Sequence, residues 1–122
     1  MKLRLSQIVN GYITLQQSFT EKLPTDLLFI LYRNVRLMKT EVDTYEKTRV
    51  DLIKTKYGIK LETGEFEVPP KNMEKFSEEM KRIGETEIDL DIKTIRLEDC
   101  KEIQLSLMQL SLLDWMFLVP EE

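Results

Sequence analysis

The sequence predicts an α+β protein: an antiparallel helical hairpin with one long helix, packed with a small antiparallel β-sheet and an apolar C-terminal helix. Three observations carry that prediction. Apolar residues recur at steps of three and four from Leu28 to Leu52, the signature of a helix. After Gly58, and again from Glu87 to Ile92, the period drops to two, the signature of strands. Near the end, Ser106 and Gln109 have the spacing of a capping box within an apolar run. The 42% hydrophobic and 33% charged fractions place the chain among folded rather than disordered proteins. Its 122 residues suit a single domain, 1–122, with one modest core.

Lys2 to Leu5 alternates polar and apolar, as a short strand does. Ser6 then suits the cap of a first helix running to about Thr20, with Leu5, Ile8, Tyr12, Leu15 and Phe19 as its apolar stripe. Gly11 inside that helix costs roughly 1 kcal/mol relative to alanine, so it marks a close crossing. The short connection Glu21-Lys22-Leu23 folds this helix back antiparallel on the next.

Pro24 to Tyr57 reads as one uninterrupted helix. Pro24 suits a first turn, Asp26 sits at the positive end of the dipole, and Gly58 follows as the stop. Leu28, Leu31, Val35, Met38, Val42, Tyr45, Arg49 and Leu52 form a heptad seam with one polar member. Such a helix runs roughly 50 Å, whereas a compact domain of this length is only about 35 Å across. The first helix is about half as long and cannot cover the far seam. Arg49 either fixes the register of an oligomer or carries its charge out to water along its apolar stem.

Ile59 to Glu62 and Glu65 to Val68 read as a β-hairpin around Thr63-Gly64. A two-residue loop sets Leu61 opposite Phe66, Ile59 opposite Val68 and Lys60 opposite Glu67; a loop of three or four residues shifts the register. Pro69-Pro70 ends the strand. Asn72 then caps a third helix to Ile83, with Met73, Phe76, Met80 and Ile83 as its buried stripe and Gly84 as its C-cap. Glu87 to Ile92 is a half-buried strand expected to join the hairpin. Beyond Thr94 the apolar phase moves to Ile95 and Leu97, so the strand bulges or ends there. The last helix, Leu107 to about Leu118, is apolar nearly all round, with Leu105 and Leu110 as a hydrophobic staple. Such a helix is expected to be buried.

This pattern resembles a family of short, functionally uncharacterised phage and prophage proteins. The resemblance lies in Leu23-Pro24 opening a long charged helix that ends in Lys56-Tyr57-Gly58, and in the Gly64-Glu65-Phe66 turn before a charged amphipathic helix. It also lies in the acidic strand from Glu87 to Ile92, which leads through Ile95, Leu97 and Leu105-Ser106 to the apolar C-terminal helix. The resemblance implies a phage-derived setting, in virion or tail assembly, and brings no catalytic residues.

The residues themselves argue against most enzyme classes. Histidine is absent, which removes the commonest general base, the Ser-His and Cys-His arrangements and most transition-metal sites. Four glycines form no phosphate-binding loop. Cys100 stands alone, without a partner for a disulfide or a cysteine metal site. Met1-Lys2-Leu3-Arg4-Leu5 lacks the apolar core of a secretory signal, and Leu105 to Val119 is too short and interrupted to span a bilayer. A cytoplasmic protein with no membrane partner is expected.

Residues 1–60 carry eleven Lys/Arg against six Asp/Glu, and residues 61–122 carry seven against sixteen. The two halves therefore attract one another, within a chain or between chains. The expected function is non-catalytic assembly or adaptor work by a homo-oligomer, with a phage or host protein as possible partner and no cofactor or metal. The expected interface is Val35, Met38, Val42, Tyr45, Arg49 and Leu52, with Trp115, Met116 and Phe117. One alternative is nucleic-acid binding by Arg33, Arg36, Lys39, Lys47, Lys54 and Lys56, although acidic residues interleave with them and the net charge is −4. Another is a metal-dependent nuclease-like site on Glu87, Asp89 and Asp91, which share a strand face roughly 7 Å apart. A solvated strand face with cross-strand cations, such as Lys60, explains the same carboxylates.

Overall fold

The helical hairpin comes first because its two partners have matching apolar stripes. A computed structural model, describing residues 1–18, 22–100 and 104–118, shows it to follow a short strand, β1 (Lys2–Arg4). Helix α1 (Leu5–Ser18) starts two residues earlier than a Ser6 cap requires. The Gln7 side chain instead accepts the Arg4 N–H at 2.9 Å. Phe19 and the connection through Glu21 lie outside the described residues. Helix α2 (Thr25–Leu52) begins just after Pro24, whose carbonyl accepts the first helical N–H, from Leu28, at 2.9 Å.

The inward row of α2 is Leu27, Leu31, Asn34 and Met38, so the near half of the expected seam is corrected. Leu28 faces outward, while Val35 and Val42 are half-buried at the flank. Leu31 and Met38 stay in the row, while Leu27 and Asn34 replace Leu28 and Val35, each one residue back, so the row's centre turns by about 50°. Ile8 and Leu15 of α1 join this row in the core, with Tyr12 at the edge. Gly11 marks the crossing that its helix cost implied. A Cβ there would lie 2.7 Å from the Trp115 ring and 3.3 Å from the Met38 methyl.

The acidic strand, β4 (Glu87–Asp89), pairs antiparallel with β1 and not with the hairpin: Lys2 faces Asp89, Leu3 faces Ile88 and Arg4 faces Glu87. Leu3, at the start of the chain, needs burial and has Ile88 as its cross-strand neighbour, whereas the hairpin stands away from the core. After Asp89 one more pair follows, with the Leu90 N–H donating to the Met1 carbonyl and the Met1 amine donating to the Leu90 carbonyl, both at 2.9 Å, and the pairing stops there. The next segment still contributes Leu90, Ile92 and Ile95 to the core. Asn34, fully buried on α2, holds it in place. Its amide nitrogen donates to the Lys93 carbonyl at 2.9 Å, and its oxygen accepts the Lys93 N–H at 3.0 Å.

The hairpin, β2 (Ile59–Lys60) and β3 (Phe66–Glu67), pairs Ile59 with Glu67 and Lys60 with Phe66. This is one residue away from the two-residue-loop register. The loop is Glu62-Thr63-Gly64, closed by Leu61 N–H to Glu65 O at 2.7 Å, with Gly64 at φ +89° where glycine is favoured. Each face of the hairpin therefore mixes an apolar residue with a charged one, and Ile59 and Phe66 stay exposed. Helix α3 (Pro70–Gly84) starts at Pro70, a favoured first position, so Asn72 is inside the helix and is not its cap.

Beyond Thr94, β5 (Ile95–Arg96) ends the acidic segment and pairs in parallel with β6 (Phe117–Leu118). Between them, Ser106 and Gln109 make the capping box: Ser106 Oγ accepts the Gln109 N–H at 3.1 Å, and Gln109 Oε1 accepts the Ser106 N–H at 2.8 Å. Helix α4 (Leu107–Leu113) is shorter than expected, because a 3-10 turn (Asp114–Met116) delivers the chain into β6. Two turns of helix cannot bury every side. Leu113 is enclosed, while Leu107 and Met108 are 85% and 73% exposed, which corrects the expectation of a wholly buried helix.

Two substitutions test these contacts. Gly11→Ala gains roughly 1 kcal/mol of helix propensity but overpacks the Trp115 ring at a cost of about 1–3 kcal/mol. The expected net is a loss of about 1 kcal/mol in urea denaturation, and Gly11→Leu should be far worse. Asn34→Ala leaves the Lys93 N–H and carbonyl without their partner. It should cost about 1–3 kcal/mol and speed amide exchange at Lys93 above all.

Candidate functional site

The far half of α2 is where the chain offers more helix than core. The buried cluster includes Leu27, Leu31 and Met38, with Val35 and Val42 packed against it, and takes in nothing further along α2. Tyr45, Arg49 and Leu52 continue the same row and are half-buried. Arg49 turns its guanidinium to Glu46 one turn back, with Nε 3.1 Å from the carboxylate. That ion pair raises the Arg49 pKa and lowers that of Glu46, through their hydrogen bond first.

Helix α2 then continues without a break into a wide π-turn (Ile53–Tyr57), closed by Gly58 N–H to Ile53 O at 2.7 Å. One residue more per turn than in an α-helix sets the end of the helix back by about 100°. Tyr57, which an unbroken α-helix would aim away from the seam, is thereby turned inward and buried. Gly58 ends the helix, as expected, in extended backbone with φ −92°. A Cβ there would lie 2.4 Å from the Ile53 carbonyl oxygen, so close approach is what requires glycine.

Tyr57 anchors α3. Its ring meets Phe76 edge-on at 5.7 Å, its hydroxyl donates to the Glu79 carboxylate, and its carbonyl accepts from Asn72 Nδ2 at 2.9 Å. Lys56 Nζ lies 3.2 Å from the same carboxylate. The Tyr57 hydrogen bond and then Lys56 hold Glu79 below the usual carboxyl range. At its other end, α3 packs Gly84 on Ser6 of α1. It therefore spans from the tip of α2 back to the start of α1.

Of the other residues expected at an interface, Met38, Met116 and Phe117 belong to the chain's own core. They are therefore not available on its surface. Trp115 is half-buried over Gly11, with its indole N–H on the Leu112 carbonyl at 3.0 Å. Larger exposed side chains lie elsewhere, on the outer face of α2: Leu28, Phe29 and Tyr32 are 52%, 62% and 56% exposed. The aliphatic run Leu27 to Leu31 was the signal for them, because one helix face cannot take five consecutive apolar residues.

Arg33, Arg36, Lys39, Lys47, Lys54 and Lys56 are all exposed, but half of them are engaged. Lys39 pairs with Asp43 at 2.9 Å, Lys56 with Glu79, and the Arg36 guanidinium lies 5.8 Å from the Tyr32 ring centre. Glu87 and Asp89 face Arg4 and Lys2 across the β1–β4 ladder, with Asp89 also 2.9 Å from the Met1 amine. The cations opposite these carboxylates are thus Lys2 and Arg4, while Lys60 lies in the separate hairpin. Among the described residues no three metal-binding side chains converge, and no helix is long and apolar enough to cross a membrane.

The lowered Glu79 pKa gives a pH dependence. The tie is fully present above the ordinary carboxyl value of 4.5 and is lost as pH falls through the lower folded value. Melting temperature should therefore drop on acidification below about pH 4.5 more steeply for the native chain than for Glu79→Gln. Identical acid profiles would mean that the carboxylate adds nothing.

The chain matches no family model, no curated protein and no solved structure.

Proposed function

We propose that this chain is a non-catalytic assembly or adaptor protein that self-associates through α2. One observation carries the reading: the core stops at Val42, while the helix continues through Leu52 and its π-turn to Tyr57. A second copy laid along Tyr45, Arg49 and Leu52 completes their burial. Full burial of an apolar side chain is worth about 1.5–3 kcal/mol, and here each contributes only the remaining part. Several such residues from each partner are needed to offset the cost of association. The exposed ion pair of Arg49 with Glu46 flanks the middle of this row and disfavours a misaligned neighbour. The sequence resemblance supports a phage or prophage setting.

Light scattering over a dilution series tests the reading. The native chain should shift from oligomer to protomer on dilution, and Leu52→Asp should weaken association at least tenfold. Circular dichroism of the variant should show unchanged helix content. A native chain that is a protomer at every concentration removes the proposal.

A further inference from the structure

Two exposed apolar faces of this chain match one another in length, order and charge. On α2, Leu28, Phe29 and Tyr32 are followed by Arg33 and Arg36. On the α4 segment, Leu107 and Met108 are followed by Ser111 and Asp114, all exposed. Leu28 to Arg36 spans about 12 Å of helix, and Leu107 to Asp114 about 10 Å. Aromatic side chains of roughly 200 Å² each, more than half exposed, leave on the order of 300 Å² of apolar surface on α2, the size of a functional patch. Its Tyr, Phe and Arg composition is that of the centre of a protein interface.

The two faces do not meet within one chain. Leu113 and Met116 point into the core and turn Leu107 and Met108 to solvent. Among the described residues, Arg33, Arg36 and Asp114 make no ion pair. The cationic N-terminal half and acidic C-terminal half favour the approach of one copy's tail to another's head.

We infer that a second copy of this chain docks its α4 in parallel on the outer face of α2, placing Leu107 and Met108 on Leu28, Phe29 and Tyr32 and Asp114 between Arg33 and Arg36. This inference rests on the assembly reading but uses a surface separate from the far seam. The contact joins two different surfaces, so it extends head to tail and does not stop at two copies. Its apolar area is well below the roughly 800 Å² per partner of a stable complex, so it forms at high protein concentration.

The test uses Leu52→Asp as background to silence the far seam. Light scattering of this variant at rising concentration should show species larger than dimers. Adding Phe29→Asp or Leu107→Asp should each give protomers with native helix content, and an equal mixture of those two should form a dimer and nothing larger. Arg36→Glu should weaken association, and Asp114→Arg in the same chain should restore it. A Leu52→Asp variant that stays a protomer at all concentrations overturns the head-to-tail contact, as does continued self-association of the Phe29 or Leu107 variants. If Leu52→Asp keeps the native mass while Phe29→Asp and Leu107→Asp alone abolish association, the head-to-tail contact stands and the far-seam reading falls.

Discussion

A single buried amide decides how this chain closes its core. The stretch from Leu90 to Ile95 supplies three core side chains yet has no neighbouring strand over most of its length. Backbone polar groups taken from water need partners; Met1 provides them for Leu90, and one side chain provides them for Lys93. Asn34 presents an acceptor and a donor in the spacing of a strand residue, and Lys93 meets both. A carboxylate would accept but not donate, and an aliphatic residue would do neither. The helix thus serves as the missing edge of a sheet, and the three apolar side chains can enter without stranding their backbone.

Around that closure the molecule has two unequal parts. The near part is packed on α1, where Gly11 lets the Trp115 ring and the Met38 methyl come close. The far part is joined by edge contacts: a tyrosine ring on a phenylalanine, a hydroxyl on a carboxylate, and a glycine against a serine. Such contacts fix direction well and contribute little burial. That imbalance leaves the long helix firm in orientation but incompletely covered, the condition under which another chain is useful to it.

The sequence revealed the elements through their periods, and the failures have physical causes. The long helix, the hairpin, the capping box and the Gly11 crossing are legible because each depends on neighbours in sequence. The row Leu27, Leu31, Asn34 and Met38 was missed because a polar residue occupies its centre. A heptad search then prefers Val35, one position away. The partner of the acidic strand was missed because β1 is only three residues long and lies more than eighty residues upstream. The inward turn of Tyr57 depends on a π-turn, for which no local composition gives a signal. In the expected interface, Tyr45, Arg49 and Leu52 remain partly accessible, whereas Met38, Met116 and Phe117 are consumed by the core. Periodicity identifies an apolar face but not which body covers it.

The ladder between β1 and β4 has a consequence for how the chain matures. Residues 2–4 are synthesised before their partners at 87–89, with more than eighty residues between them. The ring that fills the Gly11 crossing, Trp115, comes later still. Loop closure over such spans is slow compared with helix formation. The nascent helical hairpin must therefore wait with its apolar stripes uncovered, and native packing is achieved only once the chain through Trp115 is available.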